Sequence, residues 1–188
     1  MAKLEPTASQ TLGPFYAHGL LGEADRVLAG PKARGDRARL TGQLRNAEGK
    51  AVRDALIEVW QADADGRRPG RDPDADPDFK GFGRALTDAD GAFSFETVLP
   101  GATPGDGNRP QAPHFALSVF AAGLTRRVMT RVYVPGAPEL ETDSLLESLP
   151  EAARKSLTAE MTRGAEGLAS VVCRLELGGD APTTFFTD

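Results

Sequence analysis

Few side chains here are suited to catalysis or metal binding: two histidines (His18 and His114), two tyrosines (Tyr16 and Tyr133) and a single cysteine, Cys173. Zinc and iron sites draw on His, Cys and carboxylates at short characteristic spacings. No H-x-H, H-x-x-x-H or C-x-x-C is present, so this chain by itself is a poor holder of a transition metal. The nucleophile elbow G-x-S-x-G, the phosphate-cradling P-loop and H-E-x-x-H are also missing. The run Asp72-Pro73-Asp74-Ala75-Asp76-Pro77-Asp78 invites a calcium reading, but an EF-hand loop needs Gly in its sixth place and Glu in its twelfth. Pro77 and Gly83 stand there, which favours a solvated acidic loop stiffened by its prolines. Asp63, Asp65, Asp88 and Asp90 read as turn caps. Arg126, Arg127 and Arg131 cluster about the start of a strand; they make either a pocket for an anionic ligand or a basic hairpin in water. His114 heads a strand, where a lone histidine is more often structural than a ligand. Trp60 reads as core or interface packing and Cys173 as a small buried hydrophobe.

Short strand-like runs must position these groups: Leu40 to Arg45, Ala55 to Gln61, Ala92 to Val98, Phe115 to Ala121, Val128 to Val134 and Ser170 to Leu177. Apolar residues recur at every second place in 92–98 and 128–134, as a strand with one face on a core requires. Turn chemistry at Asn46-Ala47-Glu48-Gly49, Asp63-Ala64-Asp65-Gly66 and Asp88-Ala89-Asp90-Gly91 predicts hairpins with polar tips. Ser148-Leu149-Pro150-Glu151 fits a capping box and predicts one short helix, after which 156–162 leans to strand. Residues 1–38 hold no sustained period and many Gly and Pro, so they read as an irregular arm ahead of a core domain at 39–188. The expected fold is all-β: an antiparallel β-sandwich with an irregular N-terminal arm and one short helix.

Length and charge narrow the partners. The chain has 188 residues, 40% of them hydrophobic, with 21 Gly, 14 Pro and a net charge of −5. That suits one turn-rich globular domain. An acidic chain is a poor match for nucleic acid or an anionic membrane. No run reaches the ~18 apolar residues of a membrane span, and MAKLEPTASQ lacks a signal-peptide core. A soluble, cytoplasmic protein meeting a small molecule or another protein is expected. The arm segment Thr11-Leu12-Gly13-Pro14-Phe15-Tyr16 joins a rigid Gly-Pro turn to two aromatics, suited to packing on another chain or edging a cleft.

Taken together, Ser9-Gln10-Thr11-Leu12-Gly13-Pro14-Phe15-Tyr16, Glu58-Val59-Trp60-Gln61-Ala62-Asp63, Phe82-Gly83-Arg84, Pro100-Gly101 and Ala112-Pro113-His114 resemble the intradiol ring-cleavage dioxygenases. The likeness covers most of the chain. It implies a β-sandwich and non-haem Fe(III) held by two Tyr and two His, the latter as H-x-H. The corresponding positions here are Arg68, a place near Thr103, His114 and Ala116. The resemblance therefore implies an iron-free α chain whose partner is a homologous catalytic β chain, with Fe(III) in the β chain and none bound here. The two would build a higher-order αβ oligomer that inserts both atoms of O2 into protocatechuate between its ring hydroxyls, giving 3-carboxy-cis,cis-muconate. Protocatechuate and O2 would meet at the α–β interface. There Thr11, Gly13 and Pro14 would form pocket wall with Phe15 and Tyr16 as neighbours, and Arg126, Arg127 or Arg131 would approach the substrate carboxylate in place of an arginine that some relatives carry where Ala122 stands. Two other readings remain: a non-enzymatic transthyretin-like or carboxypeptidase-regulatory-like binding module, and a self-sufficient dioxygenase acting on catechol or hydroxyquinol.

Overall fold

The structure, a computed structural model, describes residues 6–11, 13, 19–105, 107, 109–164 and 166–186. Its strands are β1 (Arg37–Arg45), β2 (Leu56–Trp60), β3 (Phe82–Leu86), β4 (Ala92–Val98), β5 (Thr103–Pro104), β6 (Pro110–Gln111), β7 (His114–Phe120), β8 (Val128–Tyr133), β9 (Glu160–Arg163) and β10 (Ala169–Glu176). One sheet runs β4-β1-β10-β9, a second runs β3-β2-β7-β8, and β5 and β6 form a separate ribbon. The expected sandwich is present. Leu40, Leu44, Phe93, Phe95, Val171 and Leu175 from the first sheet join Ile57, Val59, Phe115, Leu117, Val119 and Val132 from the second in one buried cluster. Alternation decides this directly: in β4, Phe93 and Phe95 point inward while Glu96 is exposed, because successive side chains of a strand leave opposite faces.

The structure departs from the sequence expectation at several points. The pairing is antiparallel except between β1 and β10, which run parallel with Leu40 beside Val171. The turns at Asn46–Gly49 and Asp88–Gly91 form as expected, the Asn46 carboxamide oxygen accepting from Glu48 and Lys50 N–H groups and the Asp88 carboxylate from those of Asp90 and Ala92. The Asn46 turn closes a short antiparallel hairpin in which Arg45 bridges Ala51, but the long strands that these turns connect part company: β1 and β4 lie in one sheet, β2 and β3 in the other. A turn fixes local reversal only; the partner strand is chosen by which faces bury together.

Helix is split in two. Helix α1 (Ser144–Ser148) is capped by Asp143, and helix α2 (Glu151–Leu157) starts after Pro150. Ser148 is the last residue of α1 and caps nothing. Leu149 precedes a proline and is extended, with ψ 147°, which breaks the run that the capping box implied. Helix then reaches Leu157 before β9 begins at Glu160. Leu28 and Ala29, inside the stretch read as an arm, belong to the core: Leu28 N–H donates to the Glu96 carbonyl and its side chain is fully buried. An apolar triplet, Val27-Leu28-Ala29, in extended backbone is enough to knit into a sheet edge.

Candidate functional site

The motif Glu58-Val59-Trp60-Gln61-Ala62-Asp63 separates into distinct jobs along β2 and the loop behind it. The Glu58 carboxylate, buried on the outer face of the second sheet, accepts from Arg84 Nε at 2.8 Å. Val59 enters the core. Trp60 points outward, is 54% exposed and packs against Phe82 with the rings tilted by 41° and their centroids 4.3 Å apart; it is not a core residue. Gln61 is buried, accepting from the Thr97 hydroxyl at 2.7 Å and donating to the Val98 carbonyl at 3.0 Å, which ties the ends of β2 and β4 together. Asp63 is buried too, and its carboxylate accepts backbone N–H bonds from Asp65, Arg67 and Asp76.

Asp63 thereby fastens two loops. Asp72 Oδ2 accepts from the Arg68 N–H at 2.6 Å, and Asp76 Oδ2 from the Arg34 N–H at 2.6 Å. The acidic stretch is therefore only partly the solvated loop expected from sequence. Asp76 is buried, and the backbone N–H groups of Arg34 and Asp78 hold its carboxyl below the ordinary range. Gly66 sits in this knot with φ +76°, its Cα against the Ala102 carbonyl where any side chain would collide. The knot fixes where Arg68 stands.

A cleft of about 480 Å³ opens on the outer face of the second sheet. One cross-strand row forms its floor: Phe82 pairs with Trp60, Trp60 with Ala116 and Ala116 with Arg131. Two inter-strand spacings place Trp60 and Arg131 about 10 Å apart, and the small Ala116 between them leaves the space open. Arg68, Thr103 and His114 complete the wall, with an Arg68 guanidinium N–H donating to Thr103 Oγ1 at 3.4 Å. The positions where the resemblance places iron ligands thus converge on one cleft, as Arg68, the neighbourhood of Thr103, His114 and Ala116.

His114 is the one imidazole there. Its Nδ1 lies 2.7 Å from the Ala112 carbonyl, an acceptor only, so Nδ1 carries the proton and Nε2 the lone pair. Burial, then the Arg131 charge, pushes its pKa down to about 4. Beside it Tyr133, 5.3 Å away ring to ring, is fully buried under the helices with Leu146 and Leu157. Burial raises the Tyr133 hydroxyl pKa, and that hydroxyl accepts from Arg131 at 3.2 Å. Asp143, also buried, accepts from the N–H groups of Ala112, Leu145 and Leu146, pinning α1 to the strand leading into His114. Sequence reasoning missed Asp143; an Asp directly before Ser-Leu-Leu is its N-cap signal.

This donor set does not fit iron. His114 is the one group of ligand type on the cleft wall among the described residues, while Arg68, Arg71, Lys80 and Arg131 bring positive charge to it, and charge of that sign repels a cation. Among the described residues no group of three His, Cys, Asp or Glu gathers to hold a metal. Arg71, Lys80 and Gln111 were not singled out from sequence, because their segments are distant in the chain and only the fold joins them.

The three arginines that sequence groups together are divided. Arg131 lines the cleft, while Arg126 and Arg127 are exposed in the turn between β7 and β8, with Arg127 about 13 Å from Arg131 along the chain at strand spacing. Thr11 reaches that same turn, its Oγ1 accepting from the Gly123 N–H at 2.7 Å. Gly13 is exposed, with no neighbour within 4 Å of a Cβ built there. Pro14, Phe15, Tyr16 and His18 lie outside the described residues.

The fold is similar to that of 3-chlorocatechol 1,2-dioxygenase from Rhodococcus opacus, with a TM-score of 0.69 at 19% identity over 95% of this chain and 70% of that one. It is similar also to the dioxygenase domain of a dioxygenase carbohydrate-binding protein fusion from Streptomyces sp. SirexAA-E, with a TM-score of 0.66 at 24% identity, covering 94% of this chain and all of the other. A family model described as dioxygenase matches residues 12–177. The protocatechuate 3,4-dioxygenase alpha chain of Burkholderia cepacia is 35% identical over 99% of both chains, and that of Pseudomonas putida 32% identical over 97% of this chain and 96% of its own. The beta chain of the Burkholderia cepacia enzyme is 36% identical over 86% of this chain and 74% of its own. The chain belongs to the intradiol ring-cleavage dioxygenase family. Among the described residues, no helix is long and apolar enough to cross a membrane.

Proposed function

We propose that this chain is the α partner of a heteromeric, cytoplasmic protocatechuate 3,4-dioxygenase, and that a homologous β chain holds the Fe(III) and carries out the O2-dependent intradiol cleavage. The observation that carries this reading is the convergence of Arg68, Thr103, His114 and Ala116 on one cleft. The geometry of a family site is kept and its donors are replaced. End-to-end similarity to two α chains, arm included, favours this reading over a non-enzymatic binding module. The chain's contribution to the reaction is then shape, exclusion of water and positioning at the α–β boundary.

The arm supplies that boundary. In this reading Thr11, Gly13 and Pro14 are wall of the substrate pocket, Phe15 and Tyr16 flank them, and Arg126, Arg127 or Arg131 approaches the substrate carboxylate. The Thr11 bond to Gly123, which anchors the arm beside the turn bearing Arg126 and Arg127, supports the grouping of the arm with that turn. Pro14→Ala is expected to raise KM for protocatechuate with iron content unchanged; loss of iron would count against the assignment. The direct test is to tag the chain, recover it gently from its native cells, count iron and assay protocatechuate cleavage. A homologous partner with about one iron per pair and ring-cleaving activity is expected. Recovery with neither iron nor activity would overturn the reading.

A further inference from the structure

A second concavity, a groove of about 940 Å³, is floored by β10 and walled by α2 and by residues 178–184. Alternation along β10 sends Val171, Cys173 and Leu175 into the core and turns Val172, Arg174 and Glu176 toward the groove. Glu160 of β9 stands beside Val172 in the cross-strand register, Lys155 comes from α2, and Asp180 from the segment after β10. The walls are fixed in advance: the Thr184 N–H donates to Ser156 Oγ at 3.1 Å, which ties that segment to α2. None of the charged side chains of Lys155, Glu160, Arg174, Glu176 and Asp180 has an ion-pair partner among the described residues. On the same outer face Arg39 does reach Glu96, at 3.6 Å across β1 and β4. The groove thus holds charges of both signs that the chain leaves uncompensated.

Apolar surface accompanies them. Of the four large hydrophobic side chains exposed among the described residues, Leu168 and Val172 lie at or on β10, and Ala152 and Ala153 keep the α2 wall low enough for another backbone to approach. Four strands about 4.8 Å apart, taken over the eight residues of β10 at about 3.3 Å each, give a sheet face of roughly 500 Å². The two walls extend it toward the ~800 Å² per partner of a stable interface. Charge selects the occupant. Two copies of a chain with net charge −5 repel each other over most of their surface, but here two cations stand among three anions. A two-fold contact brings one patch against itself, so it requires a surface carrying both signs. We propose that a second copy of this chain docks in the groove about a two-fold axis, with Lys155 and Arg174 of each copy facing Glu160, Glu176 and Asp180 of the other. The inference rests on the outer face of the first sheet and stands apart from the proposed function.

Charge reversal tests the symmetry. The assembled protein, with whatever chains accompany it, is followed by sedimentation over a dilution series. Lys155→Glu combined with Arg174→Glu places like charges face to face and is expected to weaken the contact at least about tenfold, splitting the assembly into smaller particles. Adding Glu160→Lys, Glu176→Lys and Asp180→Lys reverses the whole patch in both copies, which restores complementarity only if the patch meets itself; the wild-type mass is expected to return. An unchanged mass in the double variant would overturn the proposal, and so would failure of the full reversal to restore it in a chain that circular dichroism shows to be folded. A cross-link decides the matter independently of those variants. Val172→Cys carries a benzophenone maleimide, the native Cys173 being buried, in an assembly prepared with two differently tagged copies of this chain. A product joining the two tags is expected; a product joining this chain to a different one, or no product, would refute a second copy in the groove. Iron content and ring cleavage are read separately, so failure here leaves the functional assignment intact, and the converse holds.

Discussion

Acidification below neutrality is expected to cost the protein stability through His114. Burial first, and the Arg131 charge second, lower its pKa from 6.5 to about 4. The folded-state value lies below that of the unfolded chain, so on acidification the unfolded chain takes up the proton first. The stability is fully present above pH 6.5 and drains away between 6.5 and about 4, with no further loss from this group below that. Between pH 7 and pH 5 the difference amounts to about 2 kcal/mol, a large share of the ~5–15 kcal/mol that typical domains possess. The assay is urea unfolding at pH 7 and pH 5, at fixed protein concentration, of the wild type and of His114→Gln, whose amide can still donate to the Ala112 carbonyl. The wild type should lose about 2 kcal/mol more than the variant over this interval. His18, the other histidine, and Asp76 are common to both proteins and cancel in the comparison. Equal losses in the two proteins would refute a half-buried His114 kept neutral by its surroundings.

Phe95, fully buried and edge-on to Phe93 at 6.1 Å between ring centroids, anchors the core between the sheets. Phe95→Ala is expected to destabilise by about 3–5 kcal/mol in chemical denaturation; a loss under about 1 kcal/mol would mean that the core collapses around the gap. Burial pushes the Cys173 thiol up to about 12, so an aromatic disulfide reagent should leave it unmodified in the native protein and react at once in denaturant. Rapid reaction without denaturant would show that β10 is open to solvent.

The strands were readable because their signals are local. In β4 the Phe-Ser-Phe-Glu alternation decides which side chains are buried whatever the partner strand, and Asn46 and Asp88 close their turns with bonds that reach no further than four residues. Helix boundaries were harder, since Pro150 acts on Leu149 as strongly as Ser148 acts as a cap, and the proline won. The candidate site was half legible. Trp60 and His114 drew notice by type alone, and the resemblance put Arg68, Thr103 and Ala116 beside them, but nothing local links Arg71, Lys80 or Gln111 to that place.

The sequence by itself determined the sandwich, its polar turns, the buried thiol and the shortage of metal donors, all properties of composition and of periods a few residues long. The tertiary structure alone decided that β1 runs parallel to β10, that Arg131 parts company with Arg126 and Arg127, and that Arg68, Arg71, Lys80 and Arg131 line the cleft that Ala116 floors. Those outcomes depend on register between strands far apart in the chain. Register is set by how two faces bury together, and no window of sequence contains both.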